Sequence, residues 1–384
     1  MNAHFRDYTY MKGTSKNWHI ARDLTKIITR RTVMLATLIM AGGSGTRFWP
    51  MSREKNPKQY LKIISDNSMI RMTFDRLSTI TEGKDAYVVT SEKQCPLVKR
   101  ELPELPHSNI IIEPFGMNTA PAIGLSAMLM SRRYKGDDIM LVLPSDHVIE
   151  DIDNFRASIT PAMNFAGAGY LVTFGIKPSY PATGYGYIES GKNLGAGFNV
   201  NCFKEKPDLK TATEFLEKGN YYWNSGMFVW RIDTILSAYR QFAPGIYEIL
   251  IEIAALWDEK GENADISALY SKMPKIPVDI GIMERAERRA VIPVDYGWSD
   301  VGGWKALAEL MEHDKDGNVL LCKNEVIDSK SNYVNSSKMV ALIGVNNLVI
   351  IETPDAILIA DKDKSELVKE IVGALQRKKL TQYL

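Results

Sequence analysis

Two cations and two carboxylates stand where they could act on phosphate. Arg47 closes a glycine-rich stretch, Ala41-Gly42-Gly43-Ser44-Gly45-Thr46-Arg47, and Lys58 follows in Asn56-Pro57-Lys58-Gln59-Tyr60-Leu61. Asp146 lies in Pro144-Ser145-Asp146-His147, and Asp300 in Trp298-Ser299-Asp300-Val301-Gly302-Gly303-Trp304. Glycines let a backbone turn tightly and aim successive N–H groups at phosphate oxygens. Cations placed beside a departing pyrophosphate bind the transition state more strongly than the ground state. Mg²⁺ prefers oxygen ligands and takes few of them from protein, so Asp146 and Asp300 are candidate metal ligands. Each could instead cap a helix, Asp146 the next one along the chain and Asp300 one over Val301–Met311. Two common phosphate loops are excluded. No G-K-[ST] ends the glycine stretch, and a dinucleotide fingerprint begun at Gly43 would close on Phe48. His147 has no second histidine at ligand spacing and is read as a structural group.

Four further stretches carry polar groups in apolar settings. Glu113-Pro114-Phe115-Gly116-Met117-Asn118-Thr119-Ala120-Pro121-Ala122 offers Asn118 as a polar contact. Lys177–Ile188 contains Gly184, where the chain could pass close to a ligand. Phe203-Lys204-Glu205-Lys206-Pro207-Asp208 pairs an acid with a base, and Tyr222-Trp223-Asn224-Ser225-Gly226-Met227-Phe228 presents Asn224.

Together these strings resemble the sugar-phosphate nucleotidyltransferases, in the form most like the mannose-1-phosphate guanylyltransferases. The match is G-G-x-G-T-R-x-x-P with P-K-Q, E-P-x-x-x-N-T-A-P-A, P-x-D-H, P-x-T-G-Y-G-Y-I, F-x-E-K-P, W-N-S-G-x-F and D-V-G-x-W, from about Met34 to Trp304 and more weakly to Asp361. The resemblance implies that Arg47 and Lys58 bind the triphosphate and the leaving pyrophosphate. It implies nucleotide contacts at Ala41, Gly42, Gly43, Ser44, Gly45, Thr46, Asn118 and Ser145. Glu205 would hold sugar hydroxyls and Lys206 the sugar 1-phosphate, with Gly184 and Asn224 beside the sugar. Asp146 and Asp300 would converge on Mg²⁺. The expected reaction is GTP plus α-D-mannose 1-phosphate giving GDP-mannose and pyrophosphate, with a homodimer left open. Two positions depart from the pattern: Met117 where relatives often carry a base, and Ala182 where they carry an acid. The motifs specify the reaction class more tightly than the sugar or base. Glucose 1-phosphate with UTP or dTTP, or a non-catalytic homologue that binds a sugar nucleotide, stay open. An NAD-dependent oxidoreductase is disfavoured by Phe48.

The elements that must carry these residues are legible from hydropathy. Val33–Met40, 86–89, 109–112, Ile139–Leu143 and 170–174 read as apolar strands without alternation. Helical spacing lies between them at Ile70–Leu77 and Ala120–Met130. Such strands predict a sheet covered on both faces, mostly parallel, with the ligand at its carboxyl edge. That is an α/β, Rossmann-like sheet, of GT-A type by the resemblance. Added strands are expected at Tyr185–Ser190 and Asn199–Phe203, and helices at Leu209–Glu217, Asp233–Phe242 and Ile246–Trp257. Six short apolar runs from Val319 to Ala360 predict a small β-rich domain, possible as a left-handed β-helix, closed by a helix over Lys364–Gln376. The expected division is an extension at 1–33, a catalytic domain at 34–315 and a β-rich domain at 316–384. Some relatives carry a further isomerase domain; the 64 residues after Leu320 are too few for it, so no isomerase activity is expected.

Apolar residues make up 45% of the 384 and charged residues 24%, as in globular proteins, and the net charge is +1. No overall field favours nucleic acid or an anionic membrane. Residues 1–33 carry a local +5 against −4 for the rest. They match nothing in the family and are expected to be dispensable, with Met34 as an alternative start. The competing expectation is a short helix at Ile20–Thr29 whose Arg22 and Lys26, with Arg30 and Arg31, dock on the body. Cys95, Cys202 and Cys322 share no metal or disulfide spacing, which fits a reducing cytoplasm. No apolar run reaches the roughly 18–20 residues that span a bilayer.

Overall fold

The computed structural model describes residues 33–43 and 45–384. Residues 1–32, with the expected helix at Ile20–Thr29 and its basic residues, lie outside the described residues, as does Ser44. The chain opens on strand β1 (Leu35–Met40), followed by β2 (Ala86–Ser91), β3 (Ile110–Glu113) and β4 (Ile139–Pro144). A two-residue β5 (Val148–Ile149) precedes β6 (Leu171–Ile176), β7 (Tyr187–Asn193), β8 (Phe198–Lys204), β9 (Tyr221–Arg231) and β10 (Arg289–Val294). Among the described residues, all but β5 join one nine-stranded sheet in the order β3-β2-β1-β4-β9-β6-β10-β8-β7.

The half built from β1 to β4 is parallel, as continuous apolar runs require. The other half is mixed. β9 enters antiparallel between β4 and β6, and its first residues also pair with β7. Its inward and outward positions alternate over Tyr221–Gly226 and then become wholly buried. The sequence showed this stretch as a motif and not as a strand, because its aromatic and polar residues alternate only until the chain reaches the sheet centre.

One face of the sheet is covered by helices Thr119–Met130, Ile232–Phe242 and Pro244–Lys260. The other is covered by Met69–Leu77, Cys95–Glu101, Ile152–Gly167 and Leu209–Lys218. The helix Thr119–Met130 is buried at all but its first residue, so its apolar positions encircle it instead of forming a stripe.

After Gly297 come β11 (Trp298–Ser299) and a short helix, Trp304–Leu310. The remainder contains β12 (Val319–Leu321), β13 (Asn324–Ile327), β14 (Tyr333–Asn335), β15 (Val340–Ile343), β16 (Leu348–Glu352) and β17 (Ile357–Asp361). Val319 pairs with Tyr333, Tyr333 with Val349, and Asn324 with Val340, all in parallel. Parallel rungs this close in sequence form a solenoid coil. Buried Asn318 and Asn332 stack inside it: the Asn332 main-chain N–H and side-chain amide donate to Asn318 Oδ1 at 3.0 and 3.1 Å. The closing segment starts as a 3₁₀ turn at Lys362–Leu367 and becomes α-helical over Val368–Arg377.

The coil does not stand apart from the rest. A third core cluster joins Phe48 and Trp49, which follow the glycine stretch, to Trp304, Tyr333, Val349 and Val372. The Trp304 indole donates to the Trp49 carbonyl at 3.1 Å, and the Trp49 indole donates to the Tyr383 carbonyl at 2.8 Å. The C-terminal segment therefore braces the loop that carries Arg47.

Candidate active site

The glycine stretch leaves the carboxyl end of β1. Ala41 is fully buried; its N–H donates to Val89 and its carbonyl accepts from Gln59 and Thr90. Gly42 and Gly43 are exposed and line a cleft of about 540 Å³. The Gln59 amide donates to the Gly43 carbonyl at 3.0 Å and to Gln94 Oε1 at 2.9 Å, which pins the loop from below. Gly45 lies at φ 60, and a Cβ there would stand 2.3 Å from Lys58 Cβ and 2.7 Å from Lys58 N. Only glycine permits both that conformation and that approach. The loop thereby packs directly on the Pro57-Lys58-Gln59 turn.

Lys58 is 4% exposed, and its Nζ donates to Asp146 Oδ2 at 2.8 Å and to the Asp300 carbonyl at 2.7 Å. The two aspartates meet because β5 and β11 pair antiparallel, Val148 opposite Ser299 and Ile149 opposite Trp298, with Asp146 and Asp300 just beyond that pairing. Neither caps a helix. Asp146 leads into a strand, and the helix at Trp304 starts from Gly303 without a side-chain cap. Burial pushes the Asp146 carboxyl up, but Lys58, His147 and Arg47 outweigh it and hold the group below its usual range. Arg47 is exposed and stands beside Asp300: a Cβ on Gly302 would lie 3.3 Å from both Asp300 carboxylate oxygens and 3.4 Å from Arg47 Nη1. The Tyr185 hydroxyl donates to Asp300 Oδ1 at 3.0 Å. The Trp298 indole donates to His147 Nδ1 at 3.2 Å, and burial lowers the His147 imidazole despite its two acidic neighbours, which suits a neutral acceptor.

The donor set fits a hard divalent cation. Lys58 Nζ joins the Asp146 carboxylate to the Asp300 main-chain carbonyl, both acid charges act on His147, and among the described residues no cluster of three His, Cys, Asp or Glu side chains forms a closed cage. An ion held by one or two carboxylates, with water and phosphate completing its shell, is what Mg²⁺ favours.

The cleft is also lined by Gly184, Gly186, Glu205, Lys206, Asn224 and Asp279. Asn224 is aimed there by an irregularity in β9, where the pairing with β6 shifts register between Thr173 and Gly175 and Gly226 adopts φ 67. Its Nδ2 donates to Asp279 Oδ1 at 2.7 Å and its Oδ1 accepts from the Gly226 N–H at 3.2 Å. Lys206 and Glu205 pair with each other at 2.8 Å and are half-exposed. A Cβ on Gly186 would stand 3.0 Å from Glu205 Oε2, whereas Gly184 faces open space.

Asn118 adopts φ 75 and caps the helix Thr119–Met130 through its Oδ1 at 2.8 Å, while lining the cleft. Beneath it Glu113 is 5% exposed; Tyr270 donates to its Oε2 at 3.0 Å, and burial raises its carboxyl. Thus Gly42, Gly43, Asn118, Gly184, Glu205, Lys206, Asn224 and Asp300 share the cleft wall, with Lys58, Asp146 and Arg47 grouped about Asp300 and Gly45 packed on Lys58. Thr46 lines a separate small pocket with Trp49, Arg53 and Leu384. Ala41 and Ser145 do not line the cleft. Ser145 is 2% exposed, and its N–H donates to Met40 in line with the sheet. Both expected nucleotide contacts are thereby placed inside the support of the loop. Met117 packs partly buried on the core, and Ala182 is 6% exposed inside the other core face, so neither departure leaves a charge unpaired. Sequence reasoning assigned no role to Gln59, Glu113, Tyr185, Asp279 or Trp298. Gln59 and Glu113 sit within recognised strings, whereas Asp279 lies in an unremarkable stretch.

Residues 36–317 match the family described as Nucleotidyl transferase, and residues 323–375 the MannoseP isomerase/GMP-like beta-helix domain. The chain belongs to the nucleotidyl transferase family. It is 42% identical over 358 residues to a protein of Escherichia coli named mannose-1-phosphate guanylyltransferase, covering 91% of this chain and 76% of the relative. It is 41% identical over 345 residues to the xanthan biosynthesis protein XanB of Xanthomonas campestris, covering 88% and 73%. A solved structure from Thermus thermophilus, named mannose-1-phosphate geranyltransferase, superposes with a TM-score of 0.81 at 31% identity, covering 89% of this chain and 99% of that one.

Proposed function

We propose that this enzyme transfers GMP from GTP to α-D-mannose 1-phosphate, forming GDP-mannose and pyrophosphate. The observation that carries the reading is the layout of one cleft. Asp300 lines it, with Lys58, Asp146 and Arg47 grouped about that residue, and Gly42, Gly43, Asn118, Glu205, Lys206 and Asn224 line the same cleft.

In this reading the triphosphate lies along the exposed backbone of Gly42 and Gly43, whose N–H groups face it without intervening side chains. Arg47 and Lys58 neutralise the leaving pyrophosphate. Lys206 exchanges its bond to Glu205 for the sugar 1-phosphate, and Glu205 and Asn224 then hold sugar hydroxyls. A phosphate oxygen of mannose 1-phosphate attacks the α-phosphorus in line. The new P–O bond forms as the α–β bridge bond breaks, and the electron pair leaves with pyrophosphate. No covalent enzyme intermediate is required, since positioning and charge neutralisation suffice. The family's chemistry calls for a divalent metal; Mg²⁺ on Asp146 and Asp300 would supply positive charge at the α-phosphate.

Guanine is favoured by Glu113. Glu113 lines the cleft, Gly42 passes so close that a Cβ would stand 2.5 Å from Oε1, and Tyr270 donates to Oε2. Guanine alone among the common bases presents adjacent N1–H and exocyclic N–H donors to such an acceptor. We assign residues 34–315 to catalysis and 316–384 to bracing the Arg47 loop. Among the described residues no helix is long and apolar enough to cross a membrane. Three free cysteines favour the cytoplasm.

Pyrophosphate release with mannose 1-phosphate and each of GTP, ATP, UTP and dTTP tests the reading. GTP should give the highest kcat/KM. A preference for UTP or dTTP would replace the base assignment, and no release with any triphosphate would support the non-catalytic alternative.

A further inference from the structure

Asp279 is a carboxylate in the cleft wall that none of the recognised motifs contains. It opens a wide turn, Asp279–Met283, in which the Glu284 N–H reaches back five residues to the Asp279 carbonyl at 2.8 Å. Such turns are uncommon and concentrate at functional sites. The turn is anchored from the nucleotide side. The Ala120 N–H donates to the Ile276 carbonyl at 3.1 Å, and the Val278 N–H donates to Thr119 Oγ1 at 2.8 Å. Asp279 is thus tied to the start of the same helix that Asn118 caps, 55 residues away in sequence from the Asn224 it contacts.

The Asn224 amide is spent on the protein. Its Nδ2 donates to Asp279 Oδ1, and its Oδ1 accepts from Gly226 N–H at 3.2 Å and lies 3.5 Å from Thr173 Oγ1. One N–H of that amide remains. Among the described residues Asn224 is the one side chain hydrogen-bonded to Asp279, through Oδ1. Burial raises the Asp279 carboxyl and the neighbouring Glu205 adds to the rise, a cost that a purely structural bond to Asn224 could avoid with a neutral side chain. A carboxylate kept in a cleft wall beside an amide and a second carboxylate is suited to a ligand rich in hydroxyl donors.

We propose that Asp279 is a sugar-recognition residue that accepts a hydroxyl hydrogen bond from the hexose while fixing the orientation of Asn224. This rests on the sugar-nucleotide reading above and adds to it a third polar group on the sugar side. The carboxylate accepts without donating, so it selects a hydroxyl in its reach over a hydrogen or an ether oxygen at that carbon.

The test is a cycle between enzyme and substrate. Wild type and Asp279→Asn are assayed for pyrophosphate release with GTP and mannose 1-phosphate, and with its 2-, 3-, 4- and 6-deoxy analogues. Losing a charge-assisted hydrogen bond corresponds to about ten- to a hundredfold. The apparent KM of the variant for mannose 1-phosphate should rise by about that factor, while its KM for GTP stays within about twofold. One deoxy analogue should cost wild type a similar factor and cost the variant nothing further. Asp279→Ala, which also frees Asn224, should lose more than Asp279→Asn. If every deoxy penalty is the same in wild type and variant, Asp279 touches no hydroxyl and the inference is overturned. Equal rises in both KM values would likewise assign Asp279 to general architecture and overturn it. Absence of wild-type turnover would overturn the proposed function first, and this inference with it.

Discussion

Replacing Gly45 by alanine should disable the enzyme through Lys58, a residue thirteen positions away. The added Cβ would stand 2.3 Å from Lys58 Cβ, 2.7 Å from its nitrogen and 3.0 Å from its Cα. Two of those atoms are backbone, so a rotamer change cannot relieve the overlap. Restoring an ordinary contact requires the glycine loop and the Lys58 turn to part by about 1 Å. Misplacement on that scale can cost about a hundredfold in rate. Lys58 Nζ would then lose its bonds to Asp146 and to the Asp300 carbonyl, now 2.8 and 2.7 Å. A left-handed φ of 60 adds about 1–2 kcal/mol of backbone strain for alanine. The expected outcome is a fall in kcat/KM of about a hundredfold, read by coupled pyrophosphate release, with a melting temperature lower by only a few degrees. Gly83→Ala is the control: a Cβ there meets nothing within 4 Å, and its stability should be unchanged. Full activity in Gly45→Ala would refute the account of how the loop and Lys58 are held.

Other outcomes follow from the same geometry. Asp146→Ala and Asp300→Ala should each reduce turnover by orders of magnitude with far-UV circular dichroism unchanged, whereas near-normal rates in both with Mg²⁺ present would remove the metal assignment. Lys206→Ala should raise the KM for mannose 1-phosphate by about ten- to a hundredfold with little change for GTP, and Arg47→Ala should lower kcat/KM for GTP; loss of GTP binding alone in the Lys206 variant would contradict its role. Burial raises the Glu113 carboxyl, so the folded state binds its proton more tightly than the unfolded state does. That contribution is present below the usual glutamate value of 4.5 and is lost as pH rises through the raised one. Urea unfolding should therefore show Glu113→Gln gaining stability relative to wild type between pH 4 and pH 8, and a relative loss over that range would reverse the assignment.

Much of this was legible before the fold was known, and the reasons are physical. The strands β1, β2, β3, β4 and β6 were readable because they are covered on both faces and carry unbroken apolar runs. The ends of β1 and β4 also told where to look, since Gly42, Gly43 and Asp146 follow them directly. The antiparallel entry of β9 was not readable, because pairing direction depends on where the chain returns and leaves no mark in local hydropathy. The bracing of the Arg47 loop by the C-terminal segment was hidden for the same reason: Trp49 and Tyr383 are 334 residues apart. Asp279 escaped because its neighbours Ile276, Pro277 and Val278 give neither period two nor period 3.6, and its partners come from two distant elements. Ala41 and Ser145, expected at the nucleotide, are buried beneath the loop. A position in a motif next to a ligand loop can serve the sheet, and burial separates the two cases.

The most direct measurement is a crystal structure of the enzyme with GDP-mannose and Mg²⁺ bound. The account predicts the pyrophosphate linkage over Gly42 and Gly43, the guanine N1 and N2 donors on Glu113, and the mannose hydroxyls on Glu205, Asn224 and Asp279. It also predicts metal density between the carboxylates of Asp146 and Asp300. A sugar nucleotide lying outside this cleft, or reversed so that the base meets Asn224 and the sugar meets Glu113, would contradict it.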